Sequence, residues 1–179
     1  MRQTLNASLA PIIFSHSSVY AKTPHPRNVP DDVLKLVKEM DGIVMINFYK
    51  EYVRGPEDIG SNVGIDRVVE HMSHVKGLIG AEYLGIGADF DGEIEPVGGL
   101  EDVSKYPYLI AKLIEAGFTD DEVVGITGGN LLRVFEKVEQ VSMQLQDQKV
   151  EPEEVGVDVV KKCPEMRMER KRIMNRRGC

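Results

Sequence analysis

Apolar and polar positions follow two rhythms along this chain. Three short apolar runs, residues 11–14, 43–49 and 83–90, are bounded by Pro, Gly or polar residues. Runs of that length read as buried strands of a parallel sheet. Between and after them, apolar residues recur at helical spacing. Val33, Leu36, Val37 and Met40 give one helix its core face. Ile65, Val68, Val69, Met72, Val75 and Ile79 give a second, with Gly80 placed to cap it. Leu109, Ile110, Leu113 and Ile114 mark a third, ended by Gly117. Thr119 to Glu122 spells a capping box, and Leu131, Phe135, Val138, Val141 and Leu145 line a last helix. Residues 2–9 read as the end of a helix.

Strand, helix, strand, helix, strand, helices is the order of a parallel α/β fold. The long loops, residues 21–30, 51–62 and 91–101, follow strands, whereas the links from helix to strand are short. That asymmetry is the habit of a (β/α)8 barrel. Three strands cannot close such a barrel. The expected architecture is a small open sheet or the last part of a larger one, over residues 1–145. Residues 146–179 form a polar, then basic tail, read as disordered and solvated.

Composition narrows the function classes. The 179 residues are 42% hydrophobic, enough for one core. Net charge is −7, but residues 161–179 carry eight Lys and Arg against two Glu, a net +6, which leaves −13 on the rest. An acidic body disfavours nucleic acid as a partner. It also argues against reading residues 119–140 as a DNA-binding helix-turn-helix. The two cysteines, Cys163 and Cys179, both lie in the tail, so no CxxC zinc site is expected in the body. No apolar run reaches the 18–20 residues of a membrane span, and neither end reads as a signal peptide or lipid-anchor signal.

Candidate chemistry gathers where the strands end. His16 follows the first run. It reads as a metal ligand on a rigid support, or as a hydrogen-bonded histidine at a sheet edge. Arg27 lies in the proline-stiffened loop that comes next. It can hold a carboxylate with two parallel hydrogen bonds, or pair with Asp31 or Asp32. Tyr49 and Tyr52 follow the second run and line either a pocket or the core. Asp89 and Asp91 flank Phe90 at the third. Strand alternation would send them to opposite sides, so no shared carboxylate pair is expected. Asp89 to Gly92 is not a calcium loop, since its glycine comes fourth rather than sixth. Gly85 and Gly87 make a weak dinucleotide signal, and close backbone approach explains them better. His71 and His74 fall off the apolar face of their helix and are expected in water, as is His25 between two prolines.

Six segments in order, residues 10–18 (APIIFSHSS), 26–32 (PRNVPDD), 47–49 (NFY), 87–92 (GADFDG), 99–107 (GLEDVSKYP) and 129–135 (GNLLRVF), resemble the membrane (renal-type) dipeptidase family. The resemblance runs from about residue 10 to 140. It implies the C-terminal three or so βα units of a TIM-type (β/α)8 metallohydrolase barrel. It also implies two zinc ions and hydrolysis of dipeptides by metal-bound hydroxide. By motif, His16 is similar to a zinc ligand. Arg27 resembles the residue that holds the substrate carboxylate, and Asp89 the acidic residue that binds substrate and handles the proton. Tyr52 resembles a pocket residue. The family's His-x-Asp, its bridging glutamate and its other histidines have no counterpart after Met1, so the chain by itself is expected to be inactive. The alternative is a non-catalytic partner that associates with a complete dipeptidase subunit. The resemblance further implies an extracellular, GPI-anchored protein and a homodimer, with Cys163 near the family's linking cysteine.

Overall fold

The computed structural model describes residues 1–58, 63–92 and 95–150. Cys163, Cys179 and the basic tail lie outside the described residues. Two compact units divide the chain, Met1–Met143 and Gln144–Cys179. The sheet, and every helix except the end of the last, belong to the first unit.

The elements alternate as their periodicity requires. Helix α1 (Arg2–Ala7) leads to strand β1 (Ile13–Phe14), helix α2 (Asp31–Glu39) and strand β2 (Ile43–Ile46). A one-turn helix α3 (Lys50–Val53) precedes α4 (Ile65–Ile79) and β3 (Leu84–Ile86). Helices α5 (Tyr106–Glu115), α6 (Asp120–Val124) and α7 (Asn130–Asp147) complete the order. The sheet is parallel in the order β1-β2-β3, with Ile13 beside Ile43 and Val44 beside Leu84. Parallel order carries the residues that follow all three strands to one edge of the sheet.

The core explains why these segments hold. Val33, Leu34 and Val37 of α2 and Val68, Met72 and Val75 of α4 have no exposed surface, and neither do Ile43, Val44, Ile46 and Leu84 of the sheet. Burying such side chains is worth roughly 1.5–3 kcal/mol each. Helix α4 ends at Gly80, whose φ of 111° disfavours any residue with a Cβ. Helix α6 starts with the expected box: Thr119 accepts from the Glu122 N–H, and Glu122 accepts from the Thr119 N–H. Gly87 is required by close approach, because a Cβ there would lie 2.1 Å from the Ser15 carbonyl oxygen.

Several expectations change. The strands are shorter than the apolar runs. Beyond Ile46 the chain stays buried, as at Phe48, but leaves the ladder, and the Asn47 side chain accepts from the Tyr49 N–H. Asp89 and Asp91 are not strand residues: both have positive φ, 62° and 68°, so alternation does not govern them. His71 is not in water but 1% exposed, held by main-chain partners. His74 is half-buried and bonds Asp31 at 2.8 Å. His25 is half-buried against Tyr52, with ring centroids 4.6 Å apart. In α7 the core residue is Val134, while Phe135 is 49% exposed. Part of the expected 51–62 loop is α3, and residues 59–62 lie outside the described residues. The last helix runs to Asp147, past the expected limit at 145.

Candidate active site

The edge that follows the strands brings the predicted residues together. His16 comes just after β1, Asn47 just after β2, and Asp89 three residues after β3. The backbone keeps these segments close beyond the regular ladder. The Ser17 N–H donates to Met45 O, Gly87 N–H to Ile46 O, and Phe48 N–H to Ala88 O.

His16 stands at the centre. An Arg27 guanidinium nitrogen lies 3.1 Å from His16 Nδ1, and Asp89 Oδ2 lies 3.6 Å from the same atom. Arginine only donates, so Nδ1 accepts and the neutral ring keeps its proton on Nε2. At 3.6 Å Asp89 is beyond a hydrogen bond. Asp89 is fixed from the other side by Asn47, whose Nδ2 lies 3.4 Å from Oδ2. Gly92 leaves room for this carboxylate, since a Cβ there would meet Asp89 Oδ1 at 2.6 Å. Tyr52 closes the group, with the Arg27 guanidinium carbon 5.3 Å from its ring centroid. Tyr49 packs edge-on against Tyr52 at 4.8 Å.

Arg27 does not pair with Asp31 or Asp32 in this structure. Its rivals for Asp31 and Asp32 are already in place: Asp31 pairs with His74, and Asp32 with Arg2. Arg27 instead turns to His16 and Tyr52, and its side chain stays open to water. Sequence reasoning missed Asn47, which is fully buried and holds Asp89. Its signal was a polar residue inside an apolar run. It also missed Asn28, Thr23 and His71, which lie beneath Arg27 and Tyr52.

The metal chemistry implied by the resemblance can be tested against these residues. Zinc sites take three or four protein ligands. No group of three or more His, Cys, Asp or Glu among the described residues lies close enough to hold a metal ion. The described residues therefore do not by themselves fit a metal.

Comparison with known proteins shows the family. Residues 1–149 match the membrane dipeptidase family, peptidase family M19. The chain belongs to that family. It is 48% identical over 146 residues to dipeptidase aclJ of Aspergillus oryzae, a match covering 82% of this chain and 34% of that protein. It is 46% identical over 154 residues to a dipeptidase of Schizosaccharomyces pombe, covering 85% and 36%. A metallopeptidase from Rhodobacter sphaeroides, solved with a phosphinate mimic of the dipeptide L-Ala-D-Ala, matches with a TM-score of 0.69 at 29% identity. That match covers 76% of this chain and 38% of the other. The chain thus spans about a third of the length of these dipeptidases.

Proposed function

We propose that this chain supplies the substrate-carboxylate side of a dipeptide-hydrolysing site built on a (β/α)8 barrel. The observation that carries the reading is the meeting of His16, Arg27, Asp89 and Tyr52 at one edge of a parallel sheet. Arg27 offers a planar, permanently charged fork whose present partner is a neutral imidazole nitrogen. A dipeptide's terminal carboxylate is a stronger acceptor and displaces it. Tyr52 holds the guanidinium plane from one side. Asp89 faces the same space with its carboxylate oriented by Asn47. It pairs with a substrate ammonium group or holds the proton that the leaving amine takes. His16 contributes one ligand to a metal centre of the family's zinc type, and the remaining ligands are not among the described residues. The parallel order, the long loops after strands and the likeness to solved family members support the barrel.

The decisive experiment compares dipeptides with their C-terminal amides in the complete protein. Arg27→Met is expected to raise KM for the free dipeptide and to remove the preference over the amide. Equal turnover of acid and amide by the wild-type protein overturns the assignment.

A second reading rests on the sheet edges. Among the described residues, β1 and β3 each pair on one side alone, which leaves a row of hydrogen-bonding groups open to another chain. Association with a complete dipeptidase subunit would use them. Co-purification with such a subunit supports that reading, and a stable monomer at all concentrations counts against it.

A further inference from the structure

Beneath Arg27 and Tyr52 lies a layer of polar side chains that does not face the site. His71, Thr23 and Asn28 are 1%, 6% and 1% exposed. The Val19 N–H donates to His71 Nδ1 at 2.9 Å. A ring nitrogen that accepts carries no proton, so the neutral ring is protonated on Nε2. Nε2 stands 3.2 Å from both Val53 O and Thr23 Oγ1, within reach to donate to either. Thr23 Oγ1 donates onward to Arg54 O at 2.7 Å. Asn28 Nδ2 donates to Thr23 O at 2.9 Å and to Tyr52 O at 2.8 Å. Burial holds His71 neutral, with its pKa lowered to about 4.

The partners in this layer come from two segments. Val19, Thr23 and Asn28 belong to the loop that carries Arg27. Tyr52, Val53 and Arg54 belong to α3 and its end, which carry Tyr52 itself. His71, on the rigid α4, is bonded to both.

We propose that His71, Thr23 and Asn28 form a buried brace that sets the separation of Arg27 and Tyr52 and so positions both for the substrate carboxylate. The inference rests on the carboxylate-binding role of Arg27. The three are positioning residues, since none of them touches the substrate space. A loop displaced by about 1 Å costs up to about 100-fold in rate when the clamp must meet a small ligand.

Steady-state kinetics and amide hydrogen exchange on the complete holoenzyme test the brace together. Thr23→Val removes the hydroxyl and keeps the shape, Asn28→Asp removes two donors, and Thr23→Ser keeps the hydroxyl. Thr23→Val and Asn28→Asp are expected to raise KM for a dipeptide about 10-fold with kcat within about 3-fold. Exchange should quicken in residues 17–30 and 50–54, and Thr23→Ser should restore both readouts. Val37→Ala, a core truncation away from the brace, should lower Tm and leave KM and that exchange unchanged. If either Thr23→Val or Asn28→Asp folds and keeps wild-type KM and exchange, the brace is overturned. Arg27→Met with unchanged KM strikes instead at the carboxylate reading beneath it, and with it the positioning role, while exchange still reports the buried bonds.

Discussion

The two edges of the sheet use the same residue types for opposite ends. At the edge where strands begin, Arg133 of α7 donates to the carbonyl oxygens of Asp41, Gly42 and Glu82, pairs with the Asp41 carboxylate, and lies over the Tyr83 ring. Lys137 joins Asp41 from the next turn. Asn130 donates to Ala81 O and Leu84 O, both at 2.8 Å. Arg133 and Asn130 are bonded to main chain, which no ligand displaces. At the edge where strands end, Arg27 meets a ring nitrogen and a ring face, both side chains and both partly in water. A charge bonded to several carbonyls holds elements together, whereas a charge left with weak side-chain partners is available for binding.

The contrast can be broken most severely through Arg27. Arg27→Met should cut kcat/KM for dipeptides by about 100-fold or more and shift Tm by no more than about 2 °C, read by calorimetry beside kinetics. A large fall in Tm would show that the two edges are not functionally distinct.

Next in size is the acid sensitivity of the layer under the active edge. Burial lowers the His71 pKa from 6.5 to about 4, helped by the positive charges of Lys22, His74 and Arg67 against the raising effect of the Val53 hydrogen bond. The folded state therefore binds fewer protons than the unfolded chain between those values. The contribution is fully present above pH 6.5 and is lost as pH falls toward 4. The loss amounts to about 3 kcal/mol at most. Urea melts at pH 7 and pH 4.5 should show it, and His71→Asn should flatten the slope.

Arg133→Met tests the other edge. It should destabilise the protein by about 2 kcal/mol by leaving carbonyls unpaired, with KM unchanged. A changed KM would mean that the lower edge also reaches the site. The smallest effect is expected at Thr119→Ala, which removes a helix cap worth about 1 kcal/mol, remote from either edge and visible in melts alone.

How far the sequence foretold this depends on the range of each interaction. Helix α4 and its glycine stop came out to the residue, because the apolar repeat and the cap are local. The Thr119 box did so for the same reason. Strand ends did not, because an apolar run cannot tell a ladder residue such as Ile46 from a buried one outside the ladder such as Phe48. His16, Arg27, Tyr52 and Asp89 were singled out from their places after strands and from family likeness, and the structure brings them together. The residues that support them were not. The partners of His71 are Val19 and Val53, 52 and 18 residues away along the chain, and a histidine off the apolar stripe looks solvated until they are known. The phase of α7 failed at Phe135 because Asn130, bonded beneath β3, fixes which side turns inward.

Asp89 sits at φ 62°, where a side chain costs roughly 1 kcal/mol and glycine almost nothing. A selection for heat resistance alone would therefore favour Asp89→Gly and so discard the carboxylate. Glycine there would relax the backbone and remove the carboxylate that lies beside His16 and Asn47.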